Sequence, residues 1–260
     1  MSLRKLLIPL QSTATAEPAL ITALMAARPW SAHISVLHVA ADRNREDAVR
    51  ALFERFMAAE DVPVEAARAE ADRPTASFAA LVGREGEVVA YQARLADLTV
   101  VPHPVSGEDV SSSDALHAVL FESGQPVLIA PRVPPTSLGT RVCLGWNGSA
   151  ESAAAVWTAM PWMQRADAVR ILWSEEYQRR GPMAPELAEY LDAHGISADR
   201  KMFHSIDNLV GAGLLGAAQE FGCDLLAMGA YSHSRFRQLI LGGVTRHVLE
   251  HAALPLMMHR

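Results

Sequence analysis

The chain has 260 residues, half of them hydrophobic and a fifth charged, with a mean hydropathy of +0.10 and a net charge of −6. That composition supplies core material for one large or two ordinary domains and excludes a disordered chain. No apolar run reaches membrane-spanning length, Met1–Ser12 lacks a signal-peptide pattern, and neither residues 1–138 (12 basic, 17 acidic) nor residues 139–260 (11 basic, 12 acidic) form a nucleic-acid surface, so a cytoplasmic protein with no membrane or nucleic-acid partner is expected.

The predicted elements come in two matching series. Arg4–Thr13 opens on an apolar run closed by a polar turn, and so does Arg141–Ser149. His33–Val39 corresponds to Val169–Trp173, Ala96–Val101 to Cys223–Met228, and Gln125–Ile129 to Leu254–Met258, with offsets near 127 to 137 residues. An internal duplication is the simplest account. Helical stretches such as Glu46–Ala59, Ala150–Met160 and Leu209–Phe221 alternate with these strand-like runs, which predicts βαβ units and, in each copy, a parallel sheet with helices on both faces. The expected fold class is α/β, two tandem Rossmann-like domains at 1–135 and 139–260, joined through the proline-rich stretch Arg132–Gly139.

In an open parallel sheet, ligands sit beyond the carboxyl ends of the strands. Two stretches of the second copy reach that crevice. Trp146-Asn147-Gly148-Ser149 ends its first strand and reads as a turn that caps the following helix. Leu225–Met228 is followed by Gly229, and thirteen residues later Gly242-Gly243 precedes Val244, Val248 and Ala252 at helical spacing. A helix start of this kind offers free N–H groups and a partial positive charge to an anion. Ser232, Ser234, Arg235, Arg237 and Thr245 add donors, so the stretch reads as a phosphate seat.

These residues resemble the nucleotide signature of the universal stress protein family, G-x2-G-x9-G-[ST]. Gly229, Ser232, Gly242 and Gly243 keep its spacing, with Ser232 in place of the second glycine and Gly243 in place of the phosphate-binding hydroxyl. Thr245 offers a neighbouring hydroxyl. The resemblance extends over both copies and implies a tandem member with an adenine nucleotide alpha hydrolase-like fold, each domain a mostly five-stranded parallel sheet with helices on both faces. It also implies a regulatory or stress-protective protein that binds ATP or a related adenine nucleotide in its second domain. Asn147 and Gly148 would then face the ribose or base, with Ile171 and Trp173 close by. Met228, Gly229, Ser232, Ser234 and Arg235 would line the phosphates from the loop, and Gly242, Gly243, Val244 and Thr245 from the helix start. The alternatives are an interaction module with an emptied site, or a slow ATP hydrolase. If strand order follows the family, the last strand of each copy, Val127–Ile129 and Leu256–Met258, lies at a sheet edge that the other copy covers as an intrachain pseudo-dimer, and a homodimer is a further expectation. In the first copy Pro102 and Pro104 remove backbone donors and no Gly-Gly precedes the last helix, so that copy is expected not to bind nucleotide, and Ser111–Ser113 read as a helix start.

Other chemistries are set aside. The only lysines, Lys5 and Lys201, follow no glycine-rich loop, which excludes a Walker A or protein-kinase site, and no GxGxxG follows a first strand. His247-x-x-Glu250-His251 matches a zinc-protease pattern but lacks an acidic ligand downstream, and no metal site is expected. Cys143 and Cys223 read as small buried hydrophobes, and Trp157, Trp162 and Trp173 as core or interface residues.

Overall fold

The computed structural model describes residues 2–39, 43–67, 71–103, 113–231 and 243–260. The chain divides into two compact units, Met1–Thr136 and Ser137–Arg260, and the division falls inside the proline-rich stretch.

The first unit contains β1 (Lys5–Pro9), α1 (Ala16–Ala27), β2 (His33–Val39), α2 (Arg43–Ala59), β3 (Thr75–Leu81), α3 (Glu85–Ala93), β4 (Leu98–Val101), α4 (Asp114–Ala118, prolonged by a π turn at Val119–Ser123) and β5 (Val127–Ile129). The second contains β6 (Arg141–Gly145), α5 (Ala150–Met163), β7 (Ala168–Trp173), α6 (Ala184–Ala193), β8 (Ala198–Met202), α7 (Val210–Phe221), β9 (Leu225–Gly229), α8 (Gly243–His251) and β10 (Leu256–His259). Every strand pair within a unit is parallel, in the order β3-β2-β1-β4-β5 in the first and β10-β9-β6-β7-β8 in the second. Right-handed crossovers in this order place the first two helices of a unit on one face and the next two on the other. In keeping with that, α3 packs on α4 and α7 on α8, while α5 lies against β9 and β10.

The central strands are buried on both faces, which is why they read as unbroken apolar runs: Leu6, Ile8, Ile34, Leu98 and Val100 in the first unit and Val142, Leu144, Ile171, Leu226 and Met257 in the second are all fully buried. One device is repeated in both copies. Just before the fourth strand of each unit an aspartate accepts the backbone N–H groups that open the first strand. Asp97 takes those of Arg4 and Lys5 at 2.7 and 2.9 Å. Asp224 takes those of Thr140 and Arg141 at 3.1 and 2.8 Å, together with the Thr140 hydroxyl.

Two expectations need adjusting. The helix expected to stop at Met160 runs through Pro161 to Met163. The turn holds because Pro161 forgoes only its own N–H bond, and Gln164 N–H still reaches Met160 O at 3.0 Å. The sequence reading assigned no strand to β3 or β8, yet both complete their sheets. Of the tryptophans expected in a core or interface, Trp162 is buried and Trp157 is 53% exposed on its unit. Among the described residues no helix is long and apolar enough to cross a membrane.

Candidate functional site

In the second unit, strand order reverses between β6 and β9, so the crevice at their carboxyl ends is where a ligand would enter. Gly145 at the end of β6 is in register with Met228 of β9, which brings Asn147 and Gly148 into the same neighbourhood as Met228 and Gly229. The β6–α5 turn is locally determined. Asn147, 3% exposed, accepts the Ser149 N–H on Oδ1 at 3.0 Å. Gly148 adopts a φ of +77°, and Ser149 Oγ accepts the Ser152 N–H at 3.1 Å and caps α5. The polar side chains therefore build the turn itself before any ligand is considered.

A second segment lies on this turn. After β7 the chain forms a helical turn in which Tyr177 and Gln178 donate to Ser174 O at 3.1 and 2.9 Å. Arg179 N–H then donates to Asn147 O at 2.7 Å, and Trp146 Nε1 donates to Pro182 O at 2.9 Å. A Cβ on Gly148 would stand 2.6 Å from Gln178 Nε2 and 2.9 Å from Pro182 O, and one on Gly181 would strike the Gly148 carbonyl. Tyr177 is sealed beneath the segment with its ring tilted on Phe203 at 6.3 Å, and burial pushes its phenol pKa up. The Asn147-Gly148 end of the crevice is thus covered by residues 174–183, a contact between positions about thirty residues apart that no local sequence signal announces.

Gly229 serves a packing need. A Cβ there would lie 2.5 Å from Ser152 N and 2.7 Å from Glu151 C, so only glycine lets β9 approach the first turn of α5 this closely. Met228 is buried at 1% exposure, and a Cβ on Gly145 would meet its Cβ at 3.1 Å. Ile171 is fully buried in mid-strand, paired with Leu144 and Arg200. At the start of α8, Gly243 is exposed, with no described residue within 4 Å of an added Cβ, Val244 is half-buried and Thr245 is 6% exposed. Ser232, Ser234, Arg235 and Gly242 lie outside the described residues.

The histidine pair of α8 does other work. The rings of His247 and His251 stack at 4.2 Å and 13°, His251 Nδ1 is bonded to His247 O at 2.9 Å, and Glu250 is engaged by Arg246 Nε at 2.7 Å. Burial and then the His251 charge hold the His247 pKa below its ordinary value. Its Cβ side faces Gly211, where an added Cβ would stand 2.8 Å away, so the pair belongs to the α7–α8 contact. Among the described residues no group of histidine, cysteine and acidic side chains could hold a metal. The two cysteines, separated by eighty positions in sequence, come together: hydrogen bonding with the Cys223 thiol, and then burial, push the pKa of buried Cys143 up. In the first unit Ser113 caps α4, accepting the Leu116 N–H at 3.3 Å.

Residues 144–260 match the model of the universal stress protein family. Over nearly its whole length the chain is similar to the solved structure of a universal stress protein from Archaeoglobus fulgidus DSM 4304, with a TM-score of 0.76, 14% identity, and coverage of 98% of this chain and 96% of that one. It is also similar to a functionally unknown protein from Pseudomonas aeruginosa PAO1, with a TM-score of 0.62, 14% identity, and coverage of 99% and 92%. Identities this low speak to the fold. No curated protein sequence matches the chain significantly.

Proposed function

We propose, from the match of residues 144–260 to the universal stress protein family, that the chain belongs to that family and is a cytoplasmic regulatory protein whose second unit binds an adenine nucleotide. The observation supporting this reading is the convergence at one switch point of Asn147-Gly148 and Met228-Gly229, followed in the chain by the Gly243-Val244-Thr245 helix start. Asn147 and Gly148 take the ribose or base, and Gly229, Gly243 and Thr245 border the phosphates. Ser232, Ser234, Arg235 and Gly242 complete the set by sequence. No described residue of this crevice stands as a general base, so the nucleotide is held as a signal, with hydrolysis slow at most. Pairing of the two copies, or of two chains, is part of the same proposal.

A second reading has one observation in its favour. The segment 174–183 occupies the base end of the crevice through the Arg179–Asn147 bond and the Gly148–Gly181 contact, as an interaction module with an emptied site would have it. Native mass spectrometry of fresh protein, followed by titration with ATP, ADP and AMP, separates the two. One nucleotide per chain, weakened at least about tenfold by Thr245→Ala, is the expected result. Absence of binding at about millimolar nucleotide would leave the interaction module as the function.

A further inference from the structure

Two helices of the second unit enclose a cavity whose walls are aromatic. It lies between α5 and α6, beside the Trp146 end of the β6–α5 turn, and its volume of about 290 Å³ is at the lower end of the range for small-molecule sites. Trp146, Val156 and Leu187 form the buried part of its lining. Trp157 of α5, with Tyr190 and Glu186 of α6, forms the exposed part. A single exposed aromatic needs no explanation, but here two of the largest side chains stand exposed around one hollow.

The rings are held in place by the protein itself. His194, at the C-cap of α6, meets Trp157 edge to face at 6.4 Å and 76° and lies tilted on Tyr190 at 4.7 Å. The Trp146 indole donates its one N–H to Pro182 O at 2.9 Å, so what it offers the cavity is apolar ring surface. Walls that are already ordered lose little conformational freedom when a ligand enters.

The charge of the site has one sign. Among the described residues that line the cavity, Glu186 is the only charged one; its Oε2 accepts the Met183 N–H at 2.7 Å, and no described basic side chain pairs with it. A neutral apolar ligand would fill the space but would take water from that carboxylate without giving it a partner. A simple ammonium would answer the charge but would press strongly hydrated N–H groups against ring faces. A cation clothed in methyl groups meets both demands, since ring faces attract its charge and its methyl groups have little hydration to lose.

We propose that this cavity binds a small, free quaternary ammonium compound, its methylated nitrogen among Trp146, Trp157 and Tyr190 and its charge toward Glu186. The site stands apart from the nucleotide reading, because none of these residues is assigned to the nucleotide.

Isothermal titration of the full-length protein with choline at fixed ionic strength tests this. Two controls accompany it: the neutral isostere in which a quaternary carbon replaces the nitrogen, and ethanolamine, which keeps the charge without the methyl groups. Choline is expected to bind saturably, with a Kd below about 1 mM and at least about tenfold tighter than either control. Trp157→Ala and Tyr190→Ala should each weaken it about tenfold, and Trp157→Phe, which restores a ring face, should recover most of the loss. Both side chains are exposed, so these variants should keep the wild-type melting temperature. Glu186→Gln, which can still close the first turn of α6, should weaken binding about threefold. Thr245→Ala should leave choline binding unchanged, and Trp157→Ala should leave any ATP binding unchanged, so the two sites fail separately. The proposal is overturned if choline does not bind at about 50 mM, if either control binds as tightly, or if binding persists undiminished in Trp157→Ala.

Discussion

Gly229 sits at the first glycine of the nucleotide motif, and its surroundings make a prediction that a ligand-contact role alone does not. An alanine Cβ would stand 2.5 Å from Ser152 N and 2.7 Å from Glu151 C, where an ordinary contact begins near 3.4 Å. Both obstacles are backbone, in a helix start already held by the Ser149 cap at 3.1 Å, so β9 and α5 must separate by most of an ångström. Overpacking of this kind costs about 1–3 kcal/mol, of which the lower unfolded-state entropy of alanine returns about 0.4–1. A net loss of about 1–2 kcal/mol should lower the melting temperature of the 124-residue second unit by about 3–8 °C. Differential scanning calorimetry on ligand-free Gly229→Ala measures it. Gly243→Ala is the control: no described residue lies within 4 Å of its added Cβ, and alanine is the better helix former, so the midpoint should stay or rise. If Gly229→Ala melts with the wild type in the absence of ligand, the close approach of β9 to α5 is not what the glycine serves, and the reasoning fails.

Two further predictions concern the scaffold. Asp97→Ala and Asp224→Ala each remove the acceptor for two strand-opening N–H groups, at a cost of about 1–2 kcal/mol because these sites are open to water. Each should lower the urea midpoint of its own unit only, and equal loss in both units would refute the assignment. His33, bonded to Thr75 Oγ1 at 2.8 Å and Ser77 Oγ at 2.9 Å, has its pKa lowered by burial and then by Lys5, with Glu65 opposing. Below the ordinary histidine value the unfolded chain therefore binds a proton that the folded state resists, so stability falls as pH drops from about 6.5 toward the folded value and is flat above. His247 acts in the same sense in the second unit. His33→Gln, which keeps both hydroxyl partners, should flatten the acid limb of the first unit's urea midpoint between about pH 7 and 5. An unchanged slope would show that another group titrates.

The duplication and the central strands could be read from the sequence because parallel strands buried on both faces leave unbroken apolar runs: His33–Val39 is a strand over just those residues, and Leu225–Met228 lies within β9. The outer strands carry no such signal. In β8, Ala198–Met202, four of five side chains are exposed; it is held by pairing with β7, with Asp199 fixed by a bidentate bond to Arg170 at 2.6–3.0 Å. Those charges also blunt the edge against other chains. In β3 the small residues of Thr75–Leu81 hide a strand that Phe78 anchors on Phe53 at 5.6 Å.

The candidate site divides along the same physical line. Turn chemistry is local, so the Asn147-Gly148-Ser149 turn and the caps at Ser149 and Ser113 could be read from residue type. What lies on that turn is set by tertiary packing, which is why neither the 174–183 segment nor the Cys143–Cys223 neighbourhood was visible, and why a motif glycine proves to have a neighbour that would exclude any side chain. A motif match therefore weighs differently at its two ends. At Gly229 packing alone would retain the glycine whether or not nucleotide binds. At Gly243, exposed and with no described residue within 4 Å of an added Cβ, the described residues make no packing demand, so binding lost in Gly243→Val with stability intact would assign that position to the ligand. Of the described glycines in the motif, Gly243 is thus the one whose substitution reads function free of fold.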